Sequence, residues 1–391
     1  MIIIAKSNIE SSSTLIDKGK LSTKLVFFVA GFGLSSWAPL VPFAKERLHA
    51  DAATLGTILL FLGLGAAIGM PIAGMLSSKL GSRIVLLLGA CGLILTLPLL
   101  AVISHSIILM LVLFIFGFSI GAIDVSANIH GTEVQDLAKK PLMSSFHGFY
   151  SIGGLVGVSC ATFLIAMHVS IIVVTILCSV IIALCILAAF PKLLKTRPQQ
   201  TQKLLVFPKG QVIIIGLLCL TIFLAEGALL DWGAILLSQV KNVQVEIAGI
   251  GYVCFALALT VSRFFGDNLV ARFGEKQILF TGMILTGLGI VLIAFTESMI
   301  FVLASIILAG LAAGNVVPVL FSLAGKQRVM EVTHAISAIS TLGYLGVLLG
   351  PAMIGYVAHF VGLNTSFYVL GILTLLSICL IPFTLSENKS T

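Results

Sequence analysis

The chain has 391 residues, of which 59% are hydrophobic and 9% are charged, and its mean hydropathy is +1.19. Soluble globular domains carry about 25% charged residues, so this composition excludes that class. The formal net charge of +7 would suit a nucleic-acid-binding protein if the basic residues were clustered on one domain, and they are not.

Apolar runs long enough to cross a bilayer recur along the whole chain. A helical crossing needs about 20 mainly apolar residues. The sequence predicts twelve such spans, at approximately 24–44, 54–77, 84–103, 106–129, 144–167, 169–190, 211–238, 247–270, 277–295, 299–322, 333–359 and 364–384. The predicted fold class is therefore an all-α integral membrane protein with twelve transmembrane helices in the lipid bilayer.

The distribution of basic residues predicts the orientation. Of the 22 Lys and Arg residues, Lys45, Arg47 and Lys241 fall in predicted periplasmic loops and Arg263 lies within a span. The other 18 fall in tails and loops on the side of the N-terminus. This asymmetry places the N- and C-termini in the cytoplasm. It also explains the net charge without a nucleic-acid partner.

The sequence repeats itself at an offset of 193 residues. Glycine pairs with this separation are Gly56 and Gly249, Gly89 and Gly282, Gly117 and Gly310, Gly121 and Gly314, Gly153 and Gly346, and Gly157 and Gly350. Glycines favoured by helix packing would explain the residue type but not the single offset. The repeat predicts two pseudo-symmetric six-helix halves, an architecture found in transporters whose binding site lies between the halves.

This repeat divides the chain into five predicted regions. They are a cytoplasmic tail (1–23), an N-terminal half (24–190), a basic, proline-punctuated cytoplasmic linker (191–210), a C-terminal half (211–384) and a second cytoplasmic tail (385–391).

The chain resembles the major facilitator superfamily (MFS) over roughly residues 24–385. The features that carry the resemblance are the 6+6 repeat, the basic central loop and the loop motif "GMLSSKLGSR" (74–83), whose counterpart is "DNLVARFGEK" (267–276). Ser78 and Ala271 stand where this family usually has an acidic residue. The resemblance implies gating roles for Lys79, Arg83 and Arg272.

Four blocks resemble a bacterial branch related to fucose-permease-type sugar symporters. They are "WAPLVPFAKERL" (37–48), "SSFHGFYSIGGLVG" (144–157), "EGALLDW" (226–232) and "SRFFGDNLVARFG" (262–274). The fifth span contains "GGLVGVSCA" (153–161), without the Gly-Pro pair of the family's antiporters. The resemblance implies a bacterial inner membrane and favours import of a sugar-like solute over drug efflux.

Two acids interrupt the seventh span. Glu226 lies about 22 Å from the predicted cytoplasmic start of its helix, within hydrocarbon, where ionisable groups usually serve function. A structural, ion-paired acid is the alternative. Asp231 follows about 7.5 Å further and some 140° around the helix. Beside Trp232, it is expected at the wet periplasmic interface, where an acid stays ionised and a Trp joins the aromatic belt.

A polar cluster is predicted at the cytoplasmic side of the N-terminal half. Asp124 and Asn128 share one face of the fourth span, and His147 and Tyr150 open the fifth. A carboxylate near a histidine suits a proton relay, because histidine titrates near neutral pH. The alternative is a polar clamp between the two helices. The predicted roles are proton coupling for Asp124 and His147, and substrate binding for Asn128 and Tyr150.

Arg263 and Asp267 are spaced i, i+4 in the eighth span and can pair within the helix. We interpret them as gating residues, with direct contact between Arg263 and substrate as the alternative. Trp37 is a candidate for stacking on a sugar ring, or else a packing residue. Asn315 and Pro318 mark a helix irregularity in the tenth span that frees backbone carbonyls. The resemblance to the MFS, in which the tenth helix lines the central cavity, implies that Asn315 binds substrate.

The sequence contains no Walker loop, GxSxG or HExxH motif, and its seven cysteines show no metal-site spacing. It therefore predicts a monomeric transporter, not an enzyme, with no cofactor or metal and with protons and a small-molecule substrate as partners. The favoured function is proton-coupled symport of a small polar solute by alternating access. The alternatives are proton-driven efflux of a metabolite or drug, and a receptor or scaffold that moves no solute.

Overall fold

The computed structural model describes residues 2–139, 142–195, 207–330 and 332–384, with the side chains of 2–14, 144, 267, 332–334 and 337 left out of the description. The tail predicted at 385–391 and most of the linker predicted at 191–210 therefore lie outside the described residues. Within the described residues, all regular secondary structure is helical.

The helices follow the predicted spans closely. They are α1 (Ile2–Ser36), α2 (Val41–Arg47), α3 (Ala52–Leu80), α4 (Ser82–Val102), α5 (Ser106–Ala138), α6 (Met143–Ala166), α7 (Ile171–Ala189), α8 (Gln211–Ile235), α9 (Ile250–Phe273), α10 (Glu275–Phe295), α11 (Met299–Ala313), α12 (Val316–Lys326), α13 (Val332–Val361), α14 (Leu363–Ser377) and α15 (Ile381–Thr384). Short 3₁₀ turns at Ala38–Leu40, Phe190–Lys192 and Ile378–Leu380 and a π turn at Leu236–Val240 extend or join them.

Among the described residues, eleven helical stretches are long and apolar enough to cross a membrane. The remaining predicted span, the eighth (247–270), corresponds to a shorter apolar stretch of described residues, Ile250–Gly266, in α9. The structure thus confirms the all-helical membrane fold.

The first predicted boundary is displaced in the structure. Residues 2–23 of the expected tail (1–23) lie in α1, and the last turns of this segment are packed. Ser22 and Thr23 are buried, and both hydroxyls donate to the carbonyl of Gly19. Because both hydroxyls form hydrogen bonds with a backbone carbonyl of the same helix, these polar residues do not end the helix.

The first compact unit comprises Met1–Trp37 and Leu64–Gln202. Within it, α1 packs along α6, and α4 packs between α5 and α7. The α1–α6 contact is backbone against backbone: a Cβ added to Gly153 would lie 2.1 Å from the carbonyl oxygen of Phe28. Glycine permits this approach, as in other membrane helix pairs.

The second compact unit comprises Ala38–Gly63 and Lys203–Thr391. Its most extensive contact joins α8 to α13, and α10 packs against α11 and α14. The segment 38–63, which precedes the linker in the chain, belongs to this unit by its contacts, with α2 against α8. The contact division therefore differs from the halves of the sequence repeat, 24–190 and 211–384, which stay a prediction.

The 193-residue register is present in the backbone. Ser82–Val102 and Glu275–Phe295 begin and end at equivalent positions. Gly81 and Gly274 precede them with φ of 85° and 80°. Both positions require a positive φ, which glycine adopts without strain. The repeated loop motif thus forms the same turn twice.

Helix packing repeats at the same offset. A Cβ on Gly89 would lie 3.1 Å from the carbonyl oxygen of Ser119, and one on Gly282 would lie 3.0 Å from that of Ala312. Both the glycines and their contacts are 193 residues apart. The shared register therefore records equivalent helix contacts in two parts of the chain.

Candidate functional site

Glu226 and Arg263 form a charge pair inside the second unit. Glu226 lies on α8 and Arg263 on α9, with Oε1 and Nη2 4.0 Å apart. The side chains are 18% and 31% exposed, respectively. Oε1 is buried and has no hydrogen-bond partner among the described residues. The guanidinium therefore attracts the carboxylate without forming a hydrogen bond to Oε1.

A helix break holds the other side of Arg263. Its Nε donates to the carbonyl oxygen of Gly314 at 3.3 Å, where α11 gives way to α12. Pro318 has no N–H, so it cannot occupy the Gly314 carbonyl as a helical residue would. The predicted irregularity at Asn315 and Pro318 is confirmed, and the freed carbonyl positions Arg263.

Asn315 strengthens the same junction. Its amide nitrogen donates to the backbone carbonyl and to the hydroxyl of Ser262, at 3.0 and 2.9 Å. Ser262 in turn donates to the carbonyl of Leu311 at 2.6 Å. Asn315 is buried, and its hydrogen bonds tie α9 to the break. Its predicted contact with substrate stays a prediction.

The expectation for Asp231 was wrong. Asp231 is 4% exposed, and its Oδ1 has no hydrogen-bond partner among the described residues. Trp232, expected in an interfacial belt, is fully buried and donates from Nε1 to the carbonyl of Pro351. The turn Ala38–Leu40 and α2 pack on α8, and this cover cannot be inferred from the sequence of the span alone.

In the first unit, Asn128 lies beside Asp124 as predicted. Its amide donates to the Asp124 carbonyl at 2.9 Å and to the carboxylate at 3.4 Å. His147 packs edge-on against Phe27, with ring centroids 5.0 Å apart. Tyr150 lies one turn further along α6. The convergence of Asp124 with His147 stays a prediction.

Trp37 lies between α1 and the turn Ala38–Leu40 and is fully buried. Its indole N–H has no hydrogen-bond partner among the described residues. A buried Trp usually places this N–H on an acceptor. The contact of Trp37 with substrate stays a prediction.

Three of the predicted gating residues lie at the ends of helices. Lys79 lies in the last turn of α3, the Arg83 guanidinium lies 4.2 Å from the Phe190 ring centroid, and the Arg272 guanidinium lies 5.3 Å from that of Phe273. Asp267 lies on α9, but its side chain is outside the described part of the chain. Its pairing with Arg263 therefore stays a prediction.

Sequence reasoning missed His130, which is fully buried on α5. Its Nε2 accepts the backbone N–H of Leu194 at 2.9 Å, so the neutral ring carries its proton on Nδ1. Nδ1 then donates to the hydroxyl of Thr23, also at 2.9 Å. His130 thereby joins α1, α5 and the segment after α7.

Asp51 was also missed. It precedes α3, and its Oδ1 accepts the backbone N–H of Thr54 at 2.7 Å, which caps the helix. Its Oδ2 lies 3.2 Å from Nδ1 of His359 on α13. Hydrogen bonds from the side chain and backbone of Thr54 hold the pKa of Asp51 below its usual value. The short polar loop around Asp51 was the only sequence signal.

These features define a class of protein. Apolar membrane helices, a repeated helix arrangement and a partly exposed charge pair beside a helix break are the features of a secondary transporter. No group of three or more His, Cys, Asp and Glu side chains suited to a metal ion occurs within the residues that the structure describes.

Comparisons with known proteins agree with this class. The profile of the Major Facilitator Superfamily matches residues 25–242 and 217–391, so the chain belongs to this superfamily. An uncharacterised MFS-type transporter of Yersinia pestis is 38% identical over 357 residues, covering 91% of this chain and 93% of the relative. An uncharacterised transporter of Sinorhizobium fredii is 31% identical, covering 91% and 95%, respectively.

Solved structures share the fold at low sequence identity. A point mutant of the nucleoside transporter NupG superposes with a TM-score of 0.79 at 15% identity, covering 94% of this chain and all of that one. The human organic anion transporter MFSD10 gives a TM-score of 0.69 at 16% identity, covering 94% and 99%. The chain is therefore a multi-pass membrane transporter of the MFS type, a class that is not enzymatic.

Proposed function

We propose that this transporter couples the movement of a small polar solute to protons, with Glu226 as the proton-carrying group. The supporting observation is the loose pairing of Glu226 with Arg263, at 4.0 Å and without a hydrogen bond on Oε1. A carboxylate held by several hydrogen bonds would resist protonation, because those bonds stabilise its charged form. Glu226 retains an oxygen that can accept a proton.

The pair also supplies a reason for coupling. When Glu226 is charged, Arg263 is attracted toward α8; when Glu226 is neutral, that attraction is lost while the bond to Gly314 remains. Proton binding therefore changes the interactions between α8, α9 and the break before α12. A ligand shifts a conformational equilibrium only through such differential interactions.

The substrate class is a sugar-like or other small polar solute, imported by symport across a bacterial inner membrane. This assignment rests on the four sequence blocks that resemble fucose-permease-type symporters. In this proposal Trp37, Asn128 and Tyr150 contribute to solute binding, and Asp124 with His147 assists proton movement. The solved nucleoside transporter supports the fold alone, so nucleosides belong in the ligand panel rather than in the assignment.

A thermal-shift panel of sugars, nucleosides, amino acids and organic acids on the purified protein identifies the solute. A ligand that binds only the folded state raises the melting temperature. The identified solute is then tested in proteoliposomes with an imposed inward proton gradient. Accumulation driven by that gradient would support symport.

The matched variants are Glu226→Gln and Glu297→Gln, because Glu297 is an exposed acid in a short loop. We expect Glu226→Gln to lose gradient-driven accumulation and keep solute exchange, and Glu297→Gln to behave as the wild type. Wild-type accumulation in Glu226→Gln would overturn the role of Glu226. Solute loss from preloaded vesicles driven by the same inward proton gradient would favour proton-driven export instead.

A further inference from the structure

Asp231 is a buried acid that the proposed coupling pair does not use. It lies five residues beyond Glu226 on α8, about 7.5 Å along the helix and about 140° around it. It is 4% exposed, and its Oδ1 has no hydrogen-bond partner among the described residues. A structural carboxylate in such a position would be expected to have an ion pair or several N–H donors.

The charged groups on the neighbouring elements have other positions or partners. Those on the elements that pack against α8 include Lys45, Glu46 and Arg47 on α2, Arg263 and Arg272 on α9, Lys326 on α12 and His359 on α13; the side chain of Asp267 on α9 lies outside the description. Of these, Lys45 donates to Gln239, Lys326 pairs with Glu275 and His359 pairs with Asp51. None of these groups with a described side chain forms a hydrogen bond or ion pair with Asp231.

The chemistry of an unpartnered carboxyl group points to one ligand. An ionised carboxylate is costly to bury without a partner, whereas the protonated acid is neutral and can be accommodated. One proton added to a carboxylate oxygen gives this neutral form, and its release to water restores the anion. No other reactant is needed.

The segment that packs on α8, residues 38–47, is short and could move away from that helix. The turn Ala38–Leu40 and α2 pack on α8, and the hydrogen bond from Lys45 to Gln239 fastens α2 beyond the end of that helix. Pro42 and Lys45 also line an open pocket with Ser238 and Gln239. A shift of residues 38–47 would open α8 to water at the end that the sequence predicts to be periplasmic.

We propose that Asp231 is a second proton-binding site, protonated while residues 38–47 cover α8 and able to exchange its proton when that segment moves away. Its place in transport rests on the proposed function. The binding of the proton does not, and it is tested without solute.

Infrared spectroscopy of the purified protein in a maltoside detergent, which has no carbonyl group, tests the site at neutral pH. We expect the difference between wild type and Asp231→Asn to contain the C=O stretching band of one protonated carboxylic acid. The same band should persist in Glu226→Gln and in the exposed-acid control Glu297→Gln. Its absence from the wild type minus Asp231→Asn difference would overturn the proposal.

Two further variants complete the test. Asp231→Glu keeps an acid at the site in case Asp231→Asn misfolds, and Lys45→Ala tests the role of residues 38–47. In Asp231→Glu, the band should remain and shift in frequency, because the acid is retained in altered surroundings; an unshifted band would place the proton elsewhere. In Lys45→Ala, the band should exchange faster in D₂O, because α2 loses its bond to Gln239. An unchanged exchange rate would overturn gating by residues 38–47.

The two proposals can fail separately. Wild-type accumulation in Glu226→Gln would overturn the role of Glu226 in transport and would leave the infrared evidence for a proton on Asp231 unchanged.

Discussion

Arg263 bridges Glu226 and the carbonyl of Gly314, so one guanidinium contacts both an acid on α8 and the break between α11 and α12. The bond to Gly314 exists because Pro318 leaves that carbonyl without a helical donor. The contact with Glu226 is longer and purely electrostatic. Arg263 is therefore placed to respond to the charge of Glu226 while it stays anchored at the break.

Removal of Arg263 should destabilise the protein through Glu226. Loss of one partner from a buried ion pair costs about 3–5 kcal/mol when both groups are fully buried. Because both side chains are partly exposed, we expect about 1–3 kcal/mol for Arg263→Gln. Thermal unfolding of the purified protein measures the effect.

The double variant Glu226→Gln with Arg263→Gln is the control for this pair. It removes both charges, so its melting temperature should exceed that of Arg263→Gln alone. Arg263→Lys keeps the charge and loses the Nε contact, and should fall between wild type and Arg263→Gln. Additive effects of the two single substitutions would show that the pair does not interact.

Two glycines of α6 should respond oppositely to alanine. In Gly153→Ala the new methyl group would overlap the Phe28 carbonyl, 2.1 Å away, and force α1 from α6. We expect a loss of about 1–3 kcal/mol. A Cβ added to Gly148 would meet no atom of another helix within 4 Å, so Gly148→Ala should be neutral or stabilising by up to about 1 kcal/mol. Equal melting temperatures for the two variants would contradict this helix contact.

We expect the contribution of Asp51 to the stability of the protein to depend on pH. Because hydrogen bonds from Thr54 lower its folded-state pKa, the stabilisation is present above the unfolded-state pKa of about 3.9 and is lost as pH falls through the lower folded-state value. Asn also caps helices well, so Asp51→Asn removes the charge and keeps the cap. Wild type should melt higher at neutral pH, and the difference should vanish in acid. A constant difference across this range would argue against the assignment.

Much of the fold was accessible from the sequence, because hydropathy and glycine register are local properties of the chain. The ends of α4 and α10 repeat at the predicted offset, and Pro318 marked the break that the structure shows. The start of α1 was misplaced because Ser22 and Thr23 satisfy their hydroxyls inside the helix. Polarity alone did not distinguish a tail from a packed helix end.

The site was less predictable because its properties depend on distant residues. His130 bonds to Thr23 and Leu194, which are 107 and 64 residues away in the chain. Asp231 is buried on a helix that packs against residues 38–47, and no feature of the seventh span reveals that packing. By contrast, Glu226 and Arg263 were each identified as charges inside hydrocarbon, although their mutual contact was not predicted.

The most direct test of proton coupling through Glu226 is solute-driven proton movement in proteoliposomes that enclose a pH-sensitive dye. The wild type, given an inward gradient of the solute identified by thermal shift, should acidify the lumen as solute enters. Glu226→Gln should exchange the same solute without acidification, because the side chain that carries the proton is gone. Equal acidification in both proteins, or wild-type solute entry without acidification, would contradict the account.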